Sequence, residues 1–200
     1  MSISNNKLAN KIHNHFKNSS DVIKELNNFE REILIFADKI SKTRNKNKVL
    51  VGGNGGSCAD ADHFTGELQC TFKDRNRKPI SAISLNNSFP AITAWCNDFS
   101  FDTYFLRQVQ AHGRKGDVLV LLSTGGGDIK SGASVNMISA AKLAIKKKMY
   151  VISLVGKTGG SLKKISNLCI HVKSNNTAYI QEAHMSILHC VAELLDEMLK

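Results

Sequence analysis

The sequence lacks any run of 18 or more apolar residues, and it therefore predicts no membrane-spanning helix. Residues 1–16 are polar and contain no apolar segment of the kind found in secretory signals. The cysteines are odd in number and form no CxxC pair, which argues against a disulfide framework. They are Cys58, Cys70, Cys96, Cys169 and Cys190. These absences together predict a reduced, cytoplasmic protein with no membrane partner.

Acidic residues are also few, since 17 Asp and Glu stand against 27 Lys and Arg and the formal net charge is +10. Such a balance suits either nucleic acid or smaller anionic substrates. The basic residues are spread over short stretches at 41–48, 72–78 and 146–148, which show no RNA-type aromatic signature. We therefore expect a basic surface for an anionic substrate and no nucleic-acid partner.

Length and hydrophobic content predict one domain, because 200 residues of which 42% are hydrophobic suffice for one sizeable core. We assign it to 1–200, with a helical extension at 1–45 and the sheet core at 46–200. Five short apolar runs, rich in β-branched residues, predict strands of a parallel sheet in an α/β fold flanked by helices. They lie at 48–53, 79–85, 117–123, 149–155 and 167–172.

Two amphipathic segments flank this predicted sheet. Residues 21–41 carry an apolar stripe that predicts one helix, and residues 178–199 carry a second. The predicted sheet is too small to cover both apolar faces. We therefore expect these terminal helices to pack between subunits.

Ligands of open α/β sheets bind beyond the carboxyl ends of the strands, where three loops are candidates. The first, GGNGGS at 52–57, lets backbone N–H groups approach a ligand closely, but its spacing fits neither a dinucleotide nor a Walker A motif. The second, 123–134, offers hydroxyls that either hold phosphate or cap the helix expected to begin near Val135. The third, 153–161, is consistent with a simple turn.

Several side chains near these loops are candidates for chemistry. His63 and Glu67 lie four apart and share one face of a helix, so they form a metal site, an acid–base pair or a surface pair. Asn97 and Asp98 either bind hydroxyl groups or form an Asx-turn. The last helix contains polar residues that are either core groups or ligands, namely Gln181, Glu182, His184 and His189.

Six motifs in order resemble the sugar-isomerase (SIS) fold and, within it, the phosphoheptose isomerase family. They are GNGGS with DADHFTGEL, NDFSF, DVLVLLST, SGAS, ISLVGKTGG and IQEAHMSILH, between about 49 and 199. The resemblance implies a three-layer α/β/α fold and a homotetramer with active sites between subunits. It also implies conversion of D-sedoheptulose 7-phosphate to D-glycero-D-manno-heptose 7-phosphate, an early step toward lipopolysaccharide or capsule heptose.

The resemblance further implies a set of site residues and one zinc ion per subunit. The acid–base pair would be Glu67 and His189. The zinc ligands would be His63, Glu67, Gln181 and His189. The substrate contacts would be Asn54, Gly55, Gly56, Ser57, Glu67, Asn97, Asp98, Ser123, Thr124, Ser131, Ser134 and Gln181.

Two alternatives stay open. A non-catalytic SIS protein, of the kind that assists assembly in replication initiation, needs a phosphate loop but not the His and Glu residues. An isomerase of another sugar phosphate with the same fold would keep them.

The chain departs from the family pattern in the second loop, where residues 125–130 look like an insertion. We expect this insertion to project outward and leave the phosphate site intact. Cys58 stands where the family often has His, and Ala178 and Tyr179 replace an Asp-Arg pair. Gln181 and His189 are separated by about 12 Å of helix rise. This separation predicts either a metal site built from two chains or a Gln181 that precedes the helix.

Overall fold

The computed structural model describes residues 5–200 and contains one five-stranded parallel sheet, in the order β2–β1–β3–β4–β5. Each strand lies within one of the five predicted runs, so the predicted parallel sheet is confirmed. The strands are β1 (Val49–Gly53), β2 (Ala82–Ser84), β3 (Val118–Ser123), β4 (Tyr150–Val155) and β5 (Leu168–His171).

Eight α-helices accompany the strands in the described part of the chain, with 3-10 turns at Glu25–Phe29 and Phe101–Thr103. The helices are α1 (Asn5–Lys24), α2 (Glu30–Ser41), α3 (Gly56–Gln69), α4 (Phe89–Asp98), α5 (Tyr104–His112), α6 (Val135–Lys146), α7 (Leu162–Ile165) and α8 (Thr177–Met198). Across residues 5–200, none of these helices is long and apolar enough to cross a bilayer.

Helices cover both faces of the sheet. On one face α2, α3 and α8 pack around Phe36, Phe64 and Leu188. On the other face α5 and α6 pack around Phe105 and Met137. Every residue of β1 and β3 is buried, which explains why these strands read as continuous apolar runs. The predicted three-layer α/β/α architecture is confirmed.

The amino-terminal segment differs from the single helix predicted over 21–41. Helix α1 ends at Lys24, the 3-10 turn follows, and α2 carries the stripe that packs into the core. Helix α1 lies against α8 but leaves large apolar side chains exposed. They are Leu8, Ile12, Phe16 and Ile23. The hydrophobic core therefore begins at the 3-10 turn and α2, and most of α1 lies outside it.

The strand order places a crevice at one point of the sheet. The chain passes from β1 to β2 on one side and then returns to β3 on the other side of β1. In doubly wound sheets, ligands bind at such a reversal, beyond the carboxyl ends of the strands. The loops that follow β1 and β3 are the two glycine-rich loops that contain most of the predicted substrate contacts.

Candidate active site

Helix α3 begins directly after the glycine loop and places His63 and Glu67 on one face. The Nε2 atom of His63 lies 2.9 Å from Oε1 of Glu67. A helix brings residues four apart within contact distance, so this pair follows from local structure alone.

Helix α8 brings a third group to this pair. The Nε2 atom of His189 lies 3.6 Å from Oε1 of Glu67 and 3.4 Å from Nε2 of His63. Phe72 stacks on the His189 ring, with centroids 5.7 Å apart and planes 13° apart. One ligand atom from each of His63, Glu67 and His189 falls within 4.8 Å of the others. Three of the four predicted metal ligands therefore converge within one chain.

The Glu67 carboxylate is mostly shielded from solvent while the two imidazoles are not. Its side chain is 12% exposed, against 49% for His63 and 41% for His189. Oxygen Oε2 is buried and has no hydrogen-bond partner among residues 5–200. A buried carboxylate oxygen without a partner is costly, so this atom is available to a ligand or a proton.

Gln181 lies inside α8, so the prediction that it precedes the helix is wrong. Its amide covers the start of α3, because a Cβ built at Gly56 would lie 2.5 Å from Nε2 of Gln181. Glycine at this position makes room for that side chain. The separation of Gln181 from His189 along α8 remains about 12 Å. A metal site built from two chains stays a prediction.

Asp60 lies near these side chains and was not among the candidates selected from the sequence. It lines a cleft of about 520 Å³ between α1, α3 and α8, together with Ser19, Gln181 and His189. Its Oδ2 atom is buried without a partner among residues 5–200. Burial raises the pKa of Asp60, and the charge of His63 opposes the shift. The spacing of three residues to His63 on the same helix was the signal that could have identified it.

The glycine loop presents Asn54, Gly55 and Gly56 at the carboxyl end of β1, and Ser57 is buried in the first turn of α3. The Asn54 side chain is oriented by a neighbour that the sequence analysis did not select either. It exchanges two hydrogen bonds with Asn136 of α6, of 3.1 and 2.9 Å.

The loop after β3 shows that the hydroxyls do not cap α6. Ser134 is the residue before α6, but it has a left-handed backbone with φ of 52°, and its hydroxyl makes no capping hydrogen bond in the described chain. Ser123 accepts a hydrogen bond from the Gly126 N–H, and Thr124 is half-buried. Capping is therefore wrong as the explanation for Ser134, and its hydroxyl is free for another partner.

The predicted outward projection of 125–130 is correct for only part of that segment. Gly126 and Gly127 are buried, and their carbonyls accept hydrogen bonds from the N–H groups of Leu162 and Ser161. Gly126 has φ of +73°, and a Cβ there would lie 1.9 Å from the Gly159 carbonyl oxygen. These glycines are thus part of the packed loop region.

The projecting part is a hairpin over 128–133, closed by the Asp128 N–H donating to the Ala133 carbonyl at 2.8 Å. Ser131 lies in its exposed turn. Hydrogen bonds lower the pKa of Asp128. The largest contribution comes from the Lys130 N–H and the next from the Ser131 side chain. The Asp128 charge is therefore satisfied within the hairpin.

Comparisons with known proteins identify the family to which this chain belongs. The SIS domain model matches residues 14–156. The phosphoheptose isomerase of Campylobacter concisus is 38% identical over 190 residues, which is 95% of this chain and 95% of that protein. The phosphoheptose isomerase of Citrifermentans bemidjiense is 44% identical over 76% of each chain. The chain belongs to the phosphoheptose isomerase family.

A solved structure of this family supports the same assignment. The phosphoheptose isomerase from Francisella tularensis has 34% sequence identity and a TM-score of 0.86, covering 94% of this chain and 98% of that one. Its fold therefore extends over nearly the whole of this family member.

In this phosphoheptose isomerase family member, Asn97 and Asp98 end helix α4 and are exposed. Asn97 Nδ2 donates to Asp98 Oδ1 at 2.8 Å, and neither forms the predicted Asx-turn. Asp98 lines a cleft between α4 and α5 with Trp95 and Arg107, separate from the cleft that contains His189.

A buried ion pair supports the position of Glu67 in this family member. Arg77 Nε lies 2.6 Å from Asp196 Oδ1, and both side chains are almost fully buried. The Arg77 guanidinium also donates to the carbonyl oxygens of Glu67 and Leu68 at the end of α3. Arg77 thus ties α3 to α8, the two helices that carry the converging His and Glu residues.

Proposed function

We propose that this chain is an aldose–ketose isomerase that converts D-sedoheptulose 7-phosphate to D-glycero-D-manno-heptose 7-phosphate through an enediol. One observation carries the proposal. The Glu67 carboxylate lies beside the imidazoles of His63 and His189, on the helix that follows the glycine loop. Relatives named phosphoheptose isomerase match nearly the full chain.

The reaction moves a proton between C1 and C2 of the sugar. It needs a base within hydrogen-bond reach of that proton and a second group that handles the protons of the two oxygens. Glu67 takes the first role, because its Oε2 atom has no partner in the described chain. His189 takes the second role, because its Nε2 atom faces Glu67 and its ring is held by Phe72.

A zinc ion fits the donor set. Two imidazole nitrogens and a carboxylate are ligands that Zn²⁺ prefers, and one such atom from each of the three residues lies within 4.8 Å of the others. His63, Glu67 and His189 would hold it, and Gln181, about 12 Å along α8 from His189, would complete the set from a neighbouring subunit. When bound, zinc supplies positive charge that stabilises the negative charge developing on the substrate oxygens.

The remaining loop residues would hold the substrate away from the reacting carbons. Ser134 directly precedes α6, and the amino-terminal end of a helix favours a phosphate, so Ser134 would bind it together with Ser123 and Thr124 of the same loop. Asn54, with Gly55, Gly56, Ser57 and Gln181, would contact the sugar hydroxyls. Asn97 and Asp98, beside a separate cleft in this chain, would contact them from a neighbouring subunit. Binding of the remote phosphate then positions C1 and C2 against Glu67. Ser131 lies in the exposed hairpin turn, so we expect it to contribute least to substrate binding.

Assembly as a homotetramer accounts for the exposed apolar face of α1. Phe16 is 68% exposed and Ile12 61% exposed, and Phe16 also borders the cleft that contains His189. A second subunit seated on this face would bury both residues and close the cleft. The heptose phosphate produced in the cytoplasm would serve lipopolysaccharide or capsule synthesis.

The deciding experiment follows isomerisation of sedoheptulose 7-phosphate by the purified protein, with and without a chelator. We expect turnover, loss of turnover on chelation, and recovery when zinc is added back. Glu67→Gln and His189→Ala should each reduce kcat by about 10²-fold or more. The exposed Glu193→Gln is the matched control. A wild-type protein that binds the sugar phosphate without turning it over would favour the non-catalytic SIS alternative. Turnover indifferent to chelation would remove zinc from the proposal.

A further inference from the structure

Asn136 and Asn54 form a closed pair of amide side chains. Asn136 Nδ2 donates to Asn54 Oδ1 at 2.9 Å, and Asn54 Nδ2 donates to Asn136 Oδ1 at 3.1 Å. The residues are 82 positions apart, and the pair joins the loop after β1 to the first turn of α6. Asn136 is 1% exposed, so it cannot itself present a group to substrate.

The orientation of this pair is set by the backbone. The Met137 N–H donates to Oδ1 of Asn136 at 3.0 Å. A backbone N–H can only donate, so the end of the Asn136 amide that faces it must be the oxygen. Because each donor must meet an acceptor, Nδ2 of Asn54 then faces Oδ1 of Asn136, and Oδ1 of Asn54 faces Nδ2 of Asn136.

The exposed side of Asn54 is therefore defined as well. Each Asn amide has two N–H donors and two acceptor lone pairs, and the pair uses one of each. Asn54, which is half-buried, keeps one N–H and one lone pair for a further partner. Their positions around the amide are determined by Asn136.

We propose that Asn136 is a positioning residue for the isomerisation, which orients the Asn54 amide toward the sugar and links the sugar-binding loop to the phosphate-binding end of α6. This proposal rests on the placement of substrate proposed above. The loop after β1 and the start of α6 would bind opposite parts of one substrate. A direct hydrogen-bonded link between them holds the distance between those two subsites constant.

The first test is a double-mutant cycle on kcat/KM for sedoheptulose 7-phosphate. Asn54→Ala and Asn136→Ala should each lower kcat/KM by about tenfold or more, because a buried or substrate-facing amide loses its partner. If Asn136 acts through Asn54, the double variant should be no worse than Asn54→Ala alone. Multiplication of the two single effects would overturn the proposal. Asn47→Ala is the matched control, since Asn47 bonds the Lys115 carbonyl near the start of β1.

A second variant separates orientation from simple loss of packing. In Asn136→Asp, both oxygens of the ionised carboxylate can only accept hydrogen bonds. One of them then faces Asn54 Oδ1, which is also an acceptor, with no proton between the two atoms. Protonation of the introduced carboxyl restores a donor at that place. The kcat/KM of Asn136→Asp relative to wild type should therefore rise as pH falls from 8 toward 5, whereas that of Asn136→Ala should stay constant. A constant ratio for both variants would overturn the proposal.

Thermal stabilisation by sedoheptulose 7-phosphate provides a readout that does not depend on turnover. We expect the shift in Tm to fall in both Asn54→Ala and Asn136→Ala and to persist in Asn47→Ala. A wild-type protein without activity would contradict the proposed isomerase, yet this binding comparison would still test the role of Asn136. An unchanged Tm shift in Asn136→Ala would contradict that role.

Discussion

His63 and His189 are 126 positions apart in the chain, yet their Nε2 atoms lie 3.4 Å from each other. Two imidazole nitrogens at this distance, with a carboxylate oxygen 2.9 Å from one and 3.6 Å from the other, form a compact set of donors for one ion. The arrangement depends on the packing of α8 against α3.

Replacing His63 should therefore reduce zinc binding. His63→Ala removes one of three converging donors, and we expect zinc affinity to fall by about tenfold or more. The zinc content of purified protein and titration with zinc measure this directly. His13→Ala, on the exposed surface of α1, should retain the wild-type zinc content. Equal zinc binding by His63→Ala and wild type would show that the metal binds elsewhere.

Removing the carboxylate of Asp196 should destabilise the fold. Burial acts to raise the pKa of Asp196, but hydrogen bonds from the Asp74 and Lys73 N–H groups and from Arg77 outweigh it and lower the pKa overall. Asp196→Ala leaves the buried Arg77 guanidinium without its counter-ion, at a cost of about 3–5 kcal/mol in the free energy of unfolding.

Urea denaturation at pH 7 measures this cost. The exposed neighbour Glu197→Ala, which loses a surface pair with Lys200, should change stability by less than about 0.5 kcal/mol. Because the pKa of Asp196 is lower in the folded state, its stabilisation is present above its unfolded pKa and is lost as pH falls through the folded value. Similar stabilities for the two variants would exclude a structural role for the ion pair.

His184 should make the protein sensitive to acid in a different pH window. It is fully buried on α8, and burial, opposed by the Val155 backbone, lowers its pKa to about 4. Its unfolded pKa is about 6.5, so between these values the unfolded chain binds a proton that the folded chain does not. Stability should fall by about 3 kcal/mol as pH decreases from 6.5 to 4.

The variant His184→Leu removes this titration. The difference in unfolding free energy between His184→Leu and wild type should shift in favour of the variant as pH falls through that window. Urea denaturation at pH 7, 5.5 and 4.5 provides the measurement. A pH-independent difference would mean that the pKa of His184 is the same in the folded and the unfolded chain.

Shortening the hairpin over 128–133 should affect activity less than a deletion that includes Gly126. Shortening the exposed hairpin should leave kcat/KM for sedoheptulose 7-phosphate largely unchanged, because surface loops of this kind carry few packing contacts. Deleting 125–130, in contrast, should abolish activity because it removes the packed Gly126 and Gly127. Retained activity in the second deletion would contradict the packing described above.

Two glycines in this region allow a matched comparison. Gly126 and Gly132 have φ of +73° and +77°, but a Cβ at Gly132 meets no atom of residues 5–200 within 4 Å. Gly132→Ala should cost about 1 kcal/mol from backbone strain alone. Gly126→Ala should cost more, since its Cβ would overlap the Gly159 carbonyl. Equal Tm values for both variants would be inconsistent with the packed loop.

The exposed face of α1 should govern assembly. Phe16→Asp places a charge in the proposed subunit interface and should shift the protein toward smaller species in light scattering after size-exclusion chromatography. Asn10→Asp adds the same charge on an exposed polar position of the same helix and should not do so. An unchanged oligomer in Phe16→Asp would place the interface elsewhere.

The strands and the last helix were predictable from the residues because their signals are local. Strands β1 and β3 are buried throughout, so selection for apolar β-branched residues leaves continuous runs. Helix α8 carries a regular apolar stripe over 22 residues. The 3-10 turn at Glu25–Phe29 was missed, since it contains neither glycine nor proline and interrupts the stripe only slightly.

By itself, the sequence determined the α/β class, the loops beyond the carboxyl ends of the strands, and the pairing of His63 with Glu67. Helix geometry and strand burial act between near neighbours in the chain, so their signals are local. Tertiary structure alone decided which of the residues grouped by the family resemblance meet within one chain, namely His189 with that pair but not Gln181. It also decided that Asn136 orients Asn54 and that Arg77 pairs with Asp196 across 119 positions. These contacts depend on how α3, α6 and α8 cross the sheet. Such crossings result from the packing of whole elements, which no local pattern of residues specifies.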